Sequence, residues 1–298
     1  MSHPVVRAEG HVWLTARLLE QRRFAHHFLA PDPHGVEAAL LGYLRPDGGF
    51  GFALEPDLRG PGPQPLHAAF ALRVLDEIGR CDEARTAALL RHFEAISAPD
   101  GALPAVHPSL RGYPSASVLP LKDDPPGALL STGPVVGLLL RNGIQHPWVE
   151  RAAEFCWAAV EALDTTHPYE VEAAVDFLDG VPDRDRALSV ALRLGDMTRE
   201  RRMYVTEPER AEEFPVARGY APGEHHFPYD VARSPDSLAG QWFTGREMKD
   251  CLDFLAARQE EDGGWPILWR AWAPGTRLEW RPIVTLAALL TLRAYGRL

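Results

Sequence analysis

Carboxylates and one imidazole stand where helices are expected to begin. Glu170 and Glu172 open one, Glu279 opens the last, and His67 falls in the first turn of another. Peptide dipoles stabilise a carboxylate at a helix N-terminus as an anion, so capping alone accounts for such residues. Where several converge, like charges raise one another's pKa and leave one protonated, which makes a general acid. A second group lies in Leu54-Glu55-Pro56-Asp57-Leu58-Arg59-Gly60-Pro61, where prolines stiffen a loop carrying two carboxylates and a guanidinium. Asp123 and Asp124 are adjacent in the Pro-rich run Lys122-Asp123-Asp124-Pro125-Pro126, a composition that equally suits a solvated turn. Trp269, Trp272 and Trp280 place three of the eight tryptophans within twelve residues. Each indole N–H wants a partner, and the rings either pack a corner or wall a cavity for an apolar or carbocationic ligand. Glu55, Asp57, Glu170 and Glu279 could also supply the two opposed carboxylates of a glycosidase.

No metal site is expected. Asp-x-Cys does not occur, and the adjacent pairs His26-His27 and His225-His226 would diverge by about 100° on a helix and could not face one ion. No cofactor motif is present either. The net charge of -10, from 41 acidic against 31 basic residues, comes with arginines scattered over helix faces, so nucleic acid is not an expected partner. Cys81, Cys156 and Cys251 form no CxxC pair and sit in helical patterns, which reads as reduced core thiols of a cytoplasmic protein. The N-terminus lacks an apolar signal core, and no stretch approaches about 18 uninterrupted apolar residues.

The elements that position these residues are helical almost throughout. Apolar residues recur at spacings of three and four from about Val5 to Leu29, Val36 to Tyr43, Gln64 to Ile78, Asp82 to Ile96, Ser131 to Leu138, Trp148 to Leu163, Glu170 to Leu178, Arg184 to Leu194, Gly245 to Arg258 and Ile283 to Tyr295. Alternation typical of strands is nearly absent, so the chain reads as all-α. No linker composition divides residues 1–298, which reads as a single domain of about five or six helix pairs. Met203 to Arg233 has four prolines, no helical period and five aromatics, and reads as a lid or wall over a cavity.

Two helices run into the same stop. Asp47-Gly48-Gly49-Phe50 recurs as Asp262-Gly263-Gly264-Trp265, and Pro99-Asp100-Gly101 is a weaker copy. Glycine pairs suit the left-handed backbone of a helix C-cap. The second copy, Gln259-Glu260-Glu261-Asp262-Gly263-Gly264-Trp265, resembles the QW motif of squalene-hopene cyclases. With the helix–corner–helix layout, the chain resembles the terpenoid cyclase and protein prenyltransferase superfamily, including its prenyltransferase and squalene oxidase repeat proteins.

The resemblance implies an α/α toroid, its inner helices lining a central cavity and their N-termini pointing at the mouth. The last helix, apolar almost all round, favours closure of the ring over an open end. The resemblance further implies an apolar, isoprenoid ligand and leaves peripheral membrane contact open, since such cyclases often take substrate from the bilayer. Two hallmarks are missing: neither Asp-x-Asp-Asp nor the zinc ligands of prenyltransferases are found. On this reading the acid lies among Glu170, Glu172 and Glu279, then Glu55 and Asp57, then Asp123 and Asp124. His67, Arg59, Tyr169, Trp269, Trp272 and Trp280 would contact the ligand. Three functions stay open: an acid-catalysed terpene cyclase-like enzyme, a non-catalytic toroid that binds or scaffolds, and a carbohydrate-active (α/α)6 barrel.

Overall fold

The computed structural model describes residues 3–298. Among the described residues twelve α-helices follow one another: α1 (Pro4–Thr15), α2 (Leu18–Phe28), α3 (Pro33–Leu41), α4 (Pro65–Glu77), α5 (Glu83–Ile96), α6 (Leu129–Arg141), α7 (Pro147–Glu161), α8 (Pro168–Gly180), α9 (Arg184–Glu200), α10 (Pro228–Val231), α11 (Gly245–Ala257) and α12 (Pro274–Ala294). Three short 3-10 segments, Pro108–Leu110, Pro208–Glu213 and Leu238–Trp242, join them. Extended pairing among the described residues is limited to isolated bridges such as Leu58 with Ser115. No described helix is long and apolar enough to cross a membrane.

Seven of these helices begin with proline, where the missing N–H costs nothing and φ is already helical. The expected helix from Val5 to Leu29 is two. α1 ends at Thr15 and α2 starts at Leu18, with Ala16 and Arg17 extended between them. The segment 203–233 is largely irregular, holding only the 3-10 turn Pro208–Glu213 and the single-turn α10; its Tyr204, Phe214, Phe227 and Tyr229 are buried, and Phe227 stacks on Tyr229 at 5.3 Å.

Contacts divide the chain into two compact units, one of residues 37–191 and the other of 1–36 with 192–298. In the first, α6 packs between α4 and α8 while α5 and α7 form a second row. A Cβ on Gly133 would lie 2.6 Å from the Ala173 oxygen, and one on Gly137 would lie 2.8 Å from the Asp176 carbonyl carbon. Contact thus advances along α6 and α8 together, which makes them parallel. The side chain of Asn142, just past α6, donates through Nδ2 to the Asp76 carboxylate at the end of α4 at 2.8 Å, so α4 points the same way. In the second unit, α12 packs against α1, α2 and α11, which ties the first helices of the chain to its last.

Three corners repeat one geometry. The amides of Arg45, Ala98 and Glu260 donate to the oxygens of Gly49, Ala102 and Gly264 at 2.8 to 2.9 Å, and Gly48, Gly101 and Gly263 donate back to Arg45, Ala98 and Glu260. Asp47, Asp100 and Asp262 each accept from the amide two residues on, at 3.0 Å, an Asx turn. The run at Asp100 is therefore a full copy. Nor are these glycines helix caps as expected: α3, α5 and α11 end several residues earlier, and Gly48, Gly101 and Gly263 sit inside tight turns at φ of 87°, 85° and 88°. Only a residue without Cβ fits, because each turn lies flat on a helix; a Cβ on Gly48 would come 2.7 Å from the Ala88 carbonyl carbon of α5. Gly101 meets Ala152 of α7 and Gly263 meets Arg7 of α1 in the same way.

Candidate functional site

Since α4, α6 and α8 run parallel, their N-termini and dipoles lie on one side of the unit. The third position of each helix separates them. In α4 it is His67, whose Nδ1 lies 3.1 Å from the Phe50 oxygen; in α6 it is Ser131, whose hydroxyl donates to the Leu103 oxygen at 2.9 Å. Phe50 and Leu103 occupy the same place after their corners, so both side chains fasten a corner to the helix that follows. α8 is preceded by Thr166-His167 in place of an Asp-Gly turn, and its third position is Glu170, which accepts from the Thr166 hydroxyl. Glu170 is free of the fastening that its counterparts perform. Two residues on, Glu172 is buried in a run of buried Val171, Ala173 and Ala174. Tyr169 is half-buried with its ring edge-on to His167 at 6.5 Å.

The loop carrying Glu55, Asp57 and Arg59 is held to its own surroundings. Glu55 accepts from the Asp57 amide at 3.1 Å, the Arg59 amide donates to the Pro114 oxygen and the Ala116 amide to the Asp57 oxygen. His67 pins the same loop from below, its Nε2 3.1 Å from the Leu58 oxygen. It is fully buried and engaged with backbone on both ring nitrogens. The loop begins with Phe52 and Ala53 at φ of 57° and 56°, a left-handed pair costly for residues with a Cβ. Leu58, Val106 and Leu110 form an apolar cluster with Leu66 and Leu119, so this loop and 104–127 close over the start of α4. Asp123 and Asp124 project from the second loop into solvent, Asp123 paired with Arg111.

In the other unit, α12 starts at Pro274, two turns before the expected Ile283. Thr285 accepts from the Trp265 amide at 2.9 Å as Thr132 of α6 accepts from Leu103 at 2.9 Å. By that register residues 274–281 are an addition ahead of the repeat, and Glu279 sits inside a helix instead of at its start. Glu279 Oε2 lies 4.0 Å from Arg17 Nη1. Arg17 in turn grips Glu20 with two bonds of 2.8 and 2.9 Å, and Glu20 is fully buried. Neither Arg17 nor Glu20 was expected here; their signal is a charged pair on the stripe of Val12, Leu19 and Phe24. Trp269 meets Trp280 edge to face at 5.2 Å, and the Trp280 Nε1 is buried without a hydrogen-bond partner. Trp272 is half-buried.

Small pockets open on the described residues of this unit. One of about 240 Å³ is lined by Gly195, Arg199, Trp242 and Phe243 among others, and one of about 120 Å³ by Arg202, Tyr204, Phe214 and Phe243 among others. Both fall below the roughly 300 to 1,000 Å³ of ordinary ligand pockets, and none of the predicted carboxylates lines them. No group of three or more His, Cys, Asp or Glu among the described residues could hold a metal ion.

No protein-family model matches the chain, and no curated protein matches it. Solved structures do. A protein from Actinoplanes superposes with a TM-score of 0.58 at 16% identity, over 98% of this chain and 89% of that one. The type II terpene cyclase MstE from Scytonema, in its apo form, superposes with a TM-score of 0.54 at 13% identity, over 99% of this chain and 88% of that one. At such identities the likeness is one of fold.

Proposed function

We propose that this chain is a terpene cyclase-like α/α protein whose helix pairs close into a ring around an apolar, isoprenoid ligand, and that it cyclises or rearranges that ligand by acid catalysis. The observation that carries the reading is the fold likeness to a type II terpene cyclase over 99% of the chain. Protonating an alkene needs a carboxyl group held in apolar surroundings. Glu172, buried in an apolar stretch of α8, and Glu170, spared corner duty, fit that need best. Glu279, paired with Arg17, ranks behind them. Glu55 and Asp57 follow, and the solvent-exposed Asp123 and Asp124 come last. Tyr169, Trp269, Trp272 and Trp280 are the proposed ligand contacts; His67 and Arg59 are better explained by the loops they hold.

The second reading is a non-catalytic toroid that binds the same ligand class, favoured by the missing Asp-x-Asp-Asp run. The experiment incubates the protein with prenyl compounds of increasing chain length, measuring binding by calorimetry and products by mass spectrometry. Turnover lost in Glu172→Gln or Glu170→Gln, with binding and thermal stability retained, supports the enzyme. Binding without turnover supports the scaffold, and no binding at any chain length leaves the fold alone and overturns both.

A further inference from the structure

Each Gly-Gly corner has a histidine beneath its second glycine, delivered by the neighbouring helix. His92 of α5 lies under Gly49, where a Cβ would come 2.7 Å from its Nε2, and His11 of α1 lies under Gly264, where a Cβ would come 2.6 Å from its Nε2. Both rings are buried. Each faces the aspartate of its corner: His92 Nδ1 is 3.8 Å from Asp47, and His11 Nδ1 is 3.3 Å from Asp262. The corner at Asp100, with Ala102 in place of the second glycine, has no histidine in that position. A missing Cβ therefore makes room for an imidazole in two of three otherwise equal turns.

The same corners hold helices. Gln259 donates to the Pro4 oxygen at 2.8 Å and Arg7 to the Glu260 oxygen at 2.7 Å, so the corner at Asp262 fastens the start of α1. We propose that His11 and His92 are acid-sensitive latches, and that their protonation loosens α1 and α5 from the two corners. The charged surroundings are mixed. His11 faces Asp262 and Glu260 but also the Arg281 guanidinium, and His92 faces Asp47 and His107. Burial, more than any neighbour, holds both imidazoles below the ordinary histidine value, with Arg281 acting in the same direction on His11. A folded pKa below the unfolded value of 6.5 means that the neutral ring is the form the fold accepts. Stability is then full at neutral pH and falls as pH drops through the unfolded value.

The test follows thermal unfolding of the full chain from about pH 8 to about pH 5.5, in the parent protein and in His11→Gln, His92→Gln and the double variant. The midpoint of the parent should fall on acidification, and the double variant should lose less than half as much. Equal losses overturn the proposal. Should the variants fail to fold, imidazole NMR titration of the parent decides: both rings must titrate below the unfolded value, and a value at or above it for both refutes the latch. Exchange protection should drop in α1 and α5 on acidification while α7 keeps its own, an asymmetry that general acid destabilisation would not produce.

Discussion

Gly180 lies backbone to backbone against Gly137, so close that a Cβ on Gly180 would fall 2.5 Å from the Gly137 carbonyl carbon. Propensity does not explain Gly137, which lies inside α6, where glycine costs about 1 kcal/mol against alanine. Both glycines are there because α6 and α8 touch along their backbones, from Gly133 against Ala173 to Gly137 against Gly180. Alanine at either position should destabilise the protein by about 1 to 3 kcal/mol despite its better propensity. Chemical denaturation measures this directly; a neutral or stabilising G137A would mean the helices can part at little cost.

Arg17 and Glu20 form a bidentate pair with Glu20 fully buried. Removing one member strands a buried charge, which costs about 3 to 5 kcal/mol. Arg17→Met should therefore lower stability by that order, and Arg17→Met with Glu20→Leu should recover much of it. A double-mutant cycle by urea unfolding reads the coupling, and additive losses would contradict the pair's role.

Asp262 accepts from Nη1 and Nη2 of Arg281 and from the Gly264 amide. The Arg281 guanidinium pulls its pKa from 3.8 down to about 2. The folded value is lower than the unfolded one, so the stabilisation is present above about 3.8 and is lost as pH falls towards about 2. Asp262 is about half exposed, and screening limits the contribution to about 1 kcal/mol or less. Arg281→Met should flatten the acid limb of the stability profile by that amount and leave the neutral plateau with the loss of the ion pair alone.

The thiols give a prediction that needs no mutation. Cys81, Cys156 and Cys251 are buried and unpaired, and burial pushes Cys81 and Cys251 up to about 12 and Cys156 further. Thiolate is the reactive form, so Ellman's reagent at neutral pH should label the native protein far more slowly than the urea-unfolded chain. Rapid labelling of any one thiol in the native state would contradict its burial.

Most of the helices, the positions of the corners and the burial of the thiols were legible in the residue order alone. Those features are local: a stripe recurring every three or four residues needs only its own helix, and a Gly-Gly turn announces its backbone through residues that tolerate positive φ. Even so, the periodic run from Val5 to Leu29 hid the break at Ala16, because two short helices with one buried face each carry the same spacing as a single long one. The tertiary structure alone decided the start of α12 at Pro274, the release of Glu170, the burial of Glu20 and the seats of His11 and His92. Each depends on which segment packs against which, and such partners, like Arg7 and Glu260 at 253 residues apart, leave no mark in the spacing of either one. A side chain's chemistry can be read from its type, but its surroundings are made by residues that only folding brings near.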